Sequence, residues 1–279
     1  MFPLPLPYFL RGRPRPVTIP AIRLSGVIGS VGLGGRGLSL ASVERAIDAA
    51  FAHKRAPAVA LLINSPGGSP VQSALIAGRI RALADEKQLP VLAFVEDVAA
   101  SGGYWLACAA DEIFADPSSI VGSIGVVSAG FGFQEAIAKL GVERRVHTTG
   151  ARKALLDPFR AERPDDLEVL RQIQGDILAR FVEHVRGRRG DRLKGEDAEL
   201  FDGRVWTGDA GLRQGLIDGL GEARATIRDR YGKDAKLVLA NPRRGWLWRR
   251  LRFRGEAAHM LDDIFAALEA RAHWQRFGL

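Results

Sequence analysis

Apolar and polar residues along this chain form short continuous runs alternating with stripes of helical period. Ile22-Arg-Leu-Ser-Gly-Val-Ile28 alternates and is closed by Gly29, predicting a strand within residues 17–28. A glycine-rich loop, residues 32–37, follows. Residues 40–54 place Val43, Ala46, Ile47, Ala50 and Phe51 on one stripe and predict a helix. Residues 58–64 (AVALLIN) are apolar without interruption, as a strand covered on both faces would be. Ser69-Pro70 then supplies an N-cap and a first-turn proline for a helix to about Lys87, and residues 90–95 make another buried strand. Strands and helices alternating at this spacing predict a mostly parallel sheet.

Beyond Ser101 the pattern predicts a short apolar helix, a strand over residues 112–115, and a glycine-rich stretch over 121–132. A helix ending near Leu140, an extended segment over 144–148 and a loop over 149–163 come next. Pro164 opens a long helix to about Arg186, with Leu167, Leu170, Ile173, Ile177, Phe181 and Val185 on its expected buried side. Residues 202–240 hold a smaller strand-and-helix section. No internal repeat is evident.

The ends differ from this body. Residues 1–21 are rich in proline and arginine, and residues 241–279 combine arginines with three of the five tryptophans. Within that tail, residues 256–274 predict an amphipathic helix. The net charge is +8, but residues 1–16 carry three arginines and no acid, and residues 241–279 carry eight arginines against four acids. The part between is close to neutral. A basic, tryptophan-bearing tail suits an anionic membrane surface, or it packs on the body or on a neighbouring copy. The apolar N-terminal stretch contains three prolines and ends at Arg11, so neither a spanning helix nor a standard signal peptide is expected. A cytoplasmic protein, in solution or peripheral on a membrane, is the expectation.

With 279 residues, 47% of them hydrophobic, the chain is long enough for one large core, and disordered or disulfide-scaffold classes are excluded. The single cysteine, Cys108, has no intramolecular partner and reads as a small buried residue. The five histidines show no ligand spacing. No metal and no cofactor are implied, and no nucleic-acid partner is expected.

Candidate chemistry lies in four segments rich in glycine and small polar residues, around residues 64–69, 99–104, 122–125 and 149–153. Ser101 sits at a strand-to-helix turn with glycine after it, where a hydroxyl is exposed and the following helix turns its positive end outward. Gly67-Gly68, just past a parallel-type strand, can bring a second backbone N–H close to a substrate. An attacking serine needs a base. His53 and His147 have no supporting carboxylate at an evident spacing, which leaves Lys153 as the other candidate. A lysine base must be uncharged near pH 7, about 4 kcal/mol of differential solvation from its usual pKa of about 10.4. Ala154, Leu155, Leu156 and Phe159 are placed to shield such an amine.

SPGG at 65–68, ASGGYW at 100–105, GSIGV at 122–126, G-x-x-K at 150–153 and RVWTGDAGLRQGLID at 204–218 together resemble the S49 family of serine peptidases, the signal peptide peptidase A and SohB type. The likeness covers residues 22–240. It implies an α/β fold of the ClpP/crotonase type, a mostly parallel sheet flanked by helices, to which this chain adds a C-terminal helical tail. It also implies a Ser/Lys dyad: Ser101 as nucleophile, Lys153 as general base and Ser123 orienting the lysine. The Gly68 and Gly102 amides would form the oxyanion hole, and Gly67 and Ser69 would border the substrate. The family's subunits assemble into rings or domes, so a homo-oligomer with a shared site is implied. The expected reaction is hydrolysis of extended apolar peptides such as cleaved signal peptides. A crotonase-like acyl-CoA enzyme and a non-catalytic membrane-associated scaffold are the alternatives.

Overall fold

A computed structural model describes residues 16–29, 37–240, and 274, 275 and 277. Most of the basic tail, its expected amphipathic helix and most of the glycine loop at 32–37 lie outside the described residues, as do residues 1–15.

The first half runs β1 (Thr18–Ser25), α1 (Leu40–Phe51), β2 (Val59–Ser65), α2 (Pro70–Lys87), β3 (Val91–Ala100) and α3 (Gly102–Ala107). Then come β4 (Glu112–Ala115), β5 (Ile120–Gly122), α4 (Gln134–Lys139) and the long α5 (Pro164–Arg189). The chain closes with α6 (Asp197–Leu200), β6 (Val205–Thr207), α7 (Gly208–Arg213), β7 (Gly219–Leu220), α8 (Ala223–Tyr231) and β8 (Lys236–Leu239). These strands form one mixed sheet in the order β6-β5-β3-β2-β1-β8, with β4 beside the lower half of β3 and β7 beside β4. Every pairing is parallel except β5 with β6.

The apolar runs at β2 and β3 have their explanation in the two cores. Alternate residues point to opposite faces of a strand. Ile22, Leu24, Val59, Leu61, Ile63, Val91, Ala93 and Val95 pack beneath α1, α2 and α3. The residues between them, Ile19, Ala21, Ala60, Leu62, Leu92 and Phe94, pack against α8 through Ala223 and Ile227. Both faces are covered, so neither parity tolerates polar residues. The start of α2 matches its sequence signals: Ser69 accepts from Gln72 N at 3.4 Å and Pro70 opens the first turn.

Residues 144–148, expected to be extended, pair with no strand among the described residues. Two expectations need correcting. β3 continues to Ala100, past the expected end near Val95, because its upper half gains a second partner in β5. α5 buries its apolar stripe only in its C-terminal half: Phe181 and Val185 are buried, Leu167, Leu170 and Ile177 are partly covered, and Ile173 is exposed. The C-terminal half is held by Arg189, which is buried and bonds Gly215 O and Asp218 Oδ2, the latter at 2.7 Å. The first half of α5 and the arm formed by residues 126–163 leave the body, and Val127, Phe131, Leu140 and Val142 stand exposed there.

Candidate active site

The site begins at a break in strand register. Ile63 pairs with Val95, but the next β2 residue to pair, Ser65, meets Ala99, so β3 carries extra residues at this level. Asn64 bridges the bulge: its Oδ1 accepts from Val98 N at 3.3 Å and its Nδ2 donates to Asp97 at 2.6 Å. The upper half of β3 is thereby carried to β5, and Ser101 N donates to Gly122 O at 2.8 Å. Ser101 sits at φ 52°, ψ −122°, a left-handed conformation that costs a non-glycine residue on the order of 1–3 kcal/mol. Its carbonyl accepts from Tyr104 N and Trp105 N, which starts α3 directly behind the hydroxyl.

The glycine turn after β2 presses against this serine. A Cβ on Gly67 would lie 2.7 Å from the Ser101 Cβ, and a Cβ on Gly102 would meet Ser73 Oγ and approach Gly68 N to 3.4 Å. The Gly68 and Gly102 backbones thus lie together at Ser101, and only glycine permits that approach. The bonds that hold the turn run from Ile28 N to Gly67 O and from Ser69 N to Ile28 O, both 2.8 Å, and do not use the Gly68 N–H.

Above these atoms opens a cleft of about 660 Å³, bordered by Ser101, Gly102, Gly68, Ser69 and Ser123. Ser123 is buried and, like Ser101, has φ 52°; its N–H donates to Arg204 O at 2.8 Å. The walls are apolar: Ile28, Val127, Trp105, Ile177, Phe181 and Phe201. The Trp105 ring stacks with both Phe181 and His184, each with its centroid 4.9 Å away, and His184 Nε2 contacts Trp105 O at 3.1 Å. Burial first, and the charge of Arg188 after it, hold the His184 imidazole below its usual pKa, although the Trp105 carbonyl acts the other way. The ring is therefore neutral at pH 7, and its nitrogen donates to that carbonyl. Asp202 borders the cleft and is ion-paired to Arg204 at 2.7 Å. Hydrogen bonds from Arg204 keep its carboxyl below the usual carboxylate range.

Six of the seven expected site residues converge: Ser101, Ser123, Gly68, Gly102 and Ser69 border the cleft, and Gly67 abuts Ser101. Lys153 does not. It is exposed on the arm, in a turn where its N–H donates to Gly150 O at 3.2 Å, and it lies outside the cleft. His53 and His147 do not border the cleft either. Sequence reasoning missed His184 and Asp202 as parts of this region, and it gave Asn64 and Trp105, which lie in the quoted segments, no role of their own. The Phe181/His184 spacing of one helical turn was a usable signal for the wall. The register break at Asn64 had none. Cys108 caps the end of α3, fully buried, with its thiol pushed up to about 12 by burial.

A strained serine at a strand-to-helix turn, two glycine backbones beside it and an apolar cleft above lie together on an α/β scaffold of the ClpP kind. Residues 84–237 match the profile of peptidase family S49, and the chain belongs to that family. It is 33% identical to the Haemophilus influenzae protein named protease 4, over 64% of this chain and 29% of that protein. It is 35% identical to the Arabidopsis thaliana protein named chloroplastic serine protease SPPA, over 60% of this chain and 24% of that one. A Brucella abortus protein named Na(+)/H(+) antiporter NhaA is 52% identical over 94% of this chain, which spans only 37% of that protein's length. Among the described residues no helix is long and apolar enough to cross a membrane.

Proposed function

We propose that this protein is a serine endopeptidase that cleaves extended apolar peptides, cleaved signal peptides among them, through a Ser101/Lys153 dyad. The observation carrying this reading is Ser101 at positive φ beside the Gly68 and Gly102 backbones on the floor of an apolar cleft. In the proposed reaction Ser101 Oγ attacks the scissile carbonyl carbon while a lysine amine takes the hydroxyl proton. The Gly68 and Gly102 amides receive the developing oxyanion. The lysine returns the proton to the leaving nitrogen as the C–N bond breaks, and water, activated by the same amine, releases the acyl group from Ser101. The apolar walls favour hydrophobic side chains, and an extended substrate lies along the glycine turns.

Within one chain Lys153 is exposed and outside the cleft, on an arm bearing solvent-facing Val127, Phe131, Leu140 and Val142. The proposal therefore has the arm pack on a neighbouring copy and deliver Lys153 to that copy's Ser101. Ser123, at the edge of the same cleft, would orient the incoming amine. An acyl-CoA reading is less well supported: the one carboxylate bordering the cleft among the described residues, Asp202, is paired with Arg204. A fluorophosphonate reagent tests the proposal. It should phosphonylate the protein with loss of fluoride, digestion of the labelled protein should yield a phosphonylated peptide containing Ser101, and Ser101→Ala should not react. A wild-type protein that neither labels nor cleaves apolar peptides would leave the scaffold reading in its place. Binding of residues 241–279 to an anionic membrane is a separate proposal, tested by vesicle flotation with and without that segment.

A further inference from the structure

Ser65 opens the SPGG motif and is fully buried at the end of β2, out of reach of a substrate. Its hydroxyl nevertheless makes two bonds to backbone groups on either side of the site. Ser65 Oγ donates to Gly26 O at 2.7 Å, and Gly67 N donates to Ser65 Oγ at 3.3 Å. A hydroxyl has one proton, so donating it to Gly26 turns the lone pairs toward Gly67. The strand end β1 and the turn after β2 are thereby joined through one oxygen.

The consequence concerns the next peptide unit. Gly67 is anchored at both ends: its N–H by Ser65 Oγ, and its carbonyl by Ile28 N at 2.8 Å. The peptide from Gly67 to Gly68 is trans, so the Gly68 N–H points opposite to that held carbonyl. The direction of the Gly68 amide is thus set by the two anchors on Gly67. Ser65 also lies against the other half of the site, since a Cβ on Gly103 in α3 would collide with Ser65 O. We infer that Ser65 is a positioning residue for the oxyanion hole: its hydroxyl aims the Gly68 amide without touching substrate. The inference rests on the peptidase reading above.

Replacing Ser65 by alanine removes the acceptor of a buried N–H while changing little volume. Small displacements of an oxyanion donor lower transition-state stabilisation and leave ground-state binding largely intact. The test is steady-state cleavage of a fluorogenic apolar peptide by the full chain as wild type, Ser65→Ala and Ser65→Cys, with fluorophosphonate labelling rate and thermal unfolding measured on each. Ser65→Ala should lower kcat about tenfold to a hundredfold with KM within about twofold, and labelling should slow in parallel. Ser65→Cys, which keeps a weak donor and acceptor, should recover part of kcat. Should Ser65→Ala unfold, the Ser65→Cys kcat decides: a fall at unchanged KM supports the inference. A wild-type kcat in either folded variant, or a loss carried by KM or by the folded fraction, overturns it and leaves the peptidase reading standing. No turnover or labelling by the wild type overturns both.

Discussion

Ser101 is held in a conformation its own side chain disfavours, and the strain persists because hydrogen bonds on both sides over-determine it: Gly122 O takes its N–H, and Tyr104 and Trp105 bond its carbonyl. Glycine has no such penalty at positive φ. Ser101→Gly should therefore unfold with about 1 kcal/mol more stability than Ser101→Ala, both variants being inactive. Urea denaturation of the pair checks this, and equal stabilities would contradict it. His184 supplies a second prediction. Its folded pKa lies below the unfolded value of about 6.5, so the folded state binds fewer protons. The stability it contributes is full above about pH 6.5 and is lost as pH falls through the folded value. Thermal midpoints should decline from pH 7 to 5 more steeply in the wild type than in His184→Phe, which keeps a ring against Trp105. Equal slopes would mean the imidazole has no such role.

Among the elements, α5 shows how a single helix serves two environments. Its end is tied down by Arg188 and Arg189, with Arg192 just beyond the helix, which reach Asp111 and Asp218. Asp218 also accepts from Ile113 N at 2.7 Å, so the cluster joins α5 to the β4 edge of the sheet. Partial burial opposes ionisation of Asp218, but the Arg189 hydrogen bond, the Ile113 amide and the nearby guanidinium charges prevail and hold its pKa below the usual carboxylate range. The stability it gives is present above about pH 4 and lost as pH falls through the lower folded value. Arg189→Ala leaves Asp218 without its principal partner and should cost about 3 kcal/mol, measured by denaturant unfolding at pH 7, with a smaller difference below pH 4. That loss should also reach the cleft, since Phe181 and His184 on this helix support Trp105.

The elements from β1 to α3 were legible because each is specified by its own residues: a period of two or 3.6, a serine cap, a proline at the first turn, a glycine where φ is positive. The first half of α5 was not. Its apolar stripe reads as buried, and only the course of the chain shows that Ile173 is left exposed among the described residues. The bulge at Asn64 was equally hidden, since a register break is a property of two strands together.

For the whole molecule, the separation of Lys153 from the Ser101 cleft makes assembly the test of the proposed dyad. If the base comes from a neighbour, Ser101→Ala and Lys153→Ala proteins, each inactive, should regain peptidase activity when dissociated and reassembled together, because mixed assemblies contain sites with an intact serine and an intact lysine. The measurement is peptide turnover against mixing ratio, with native mass alongside. Mixtures no more active than either parent, in assemblies shown to have exchanged subunits, would return the lysine to its own chain.

The amino-acid sequence alone determined the parallel α/β sheet, the glycine turns and the serine between strand and helix, because burial period and backbone preference act within a few neighbouring residues. Tertiary structure alone decided which of these turns meet. Ser123 reaches the cleft through β5 pairing with β3, Trp105 is walled by a helix more than seventy residues on, and Tyr104 is anchored to Leu216 O, 112 residues away. Such distances carry no local signature, and neither does the course of residues 126–163, which leaves Lys153 exposed and outside the cleft.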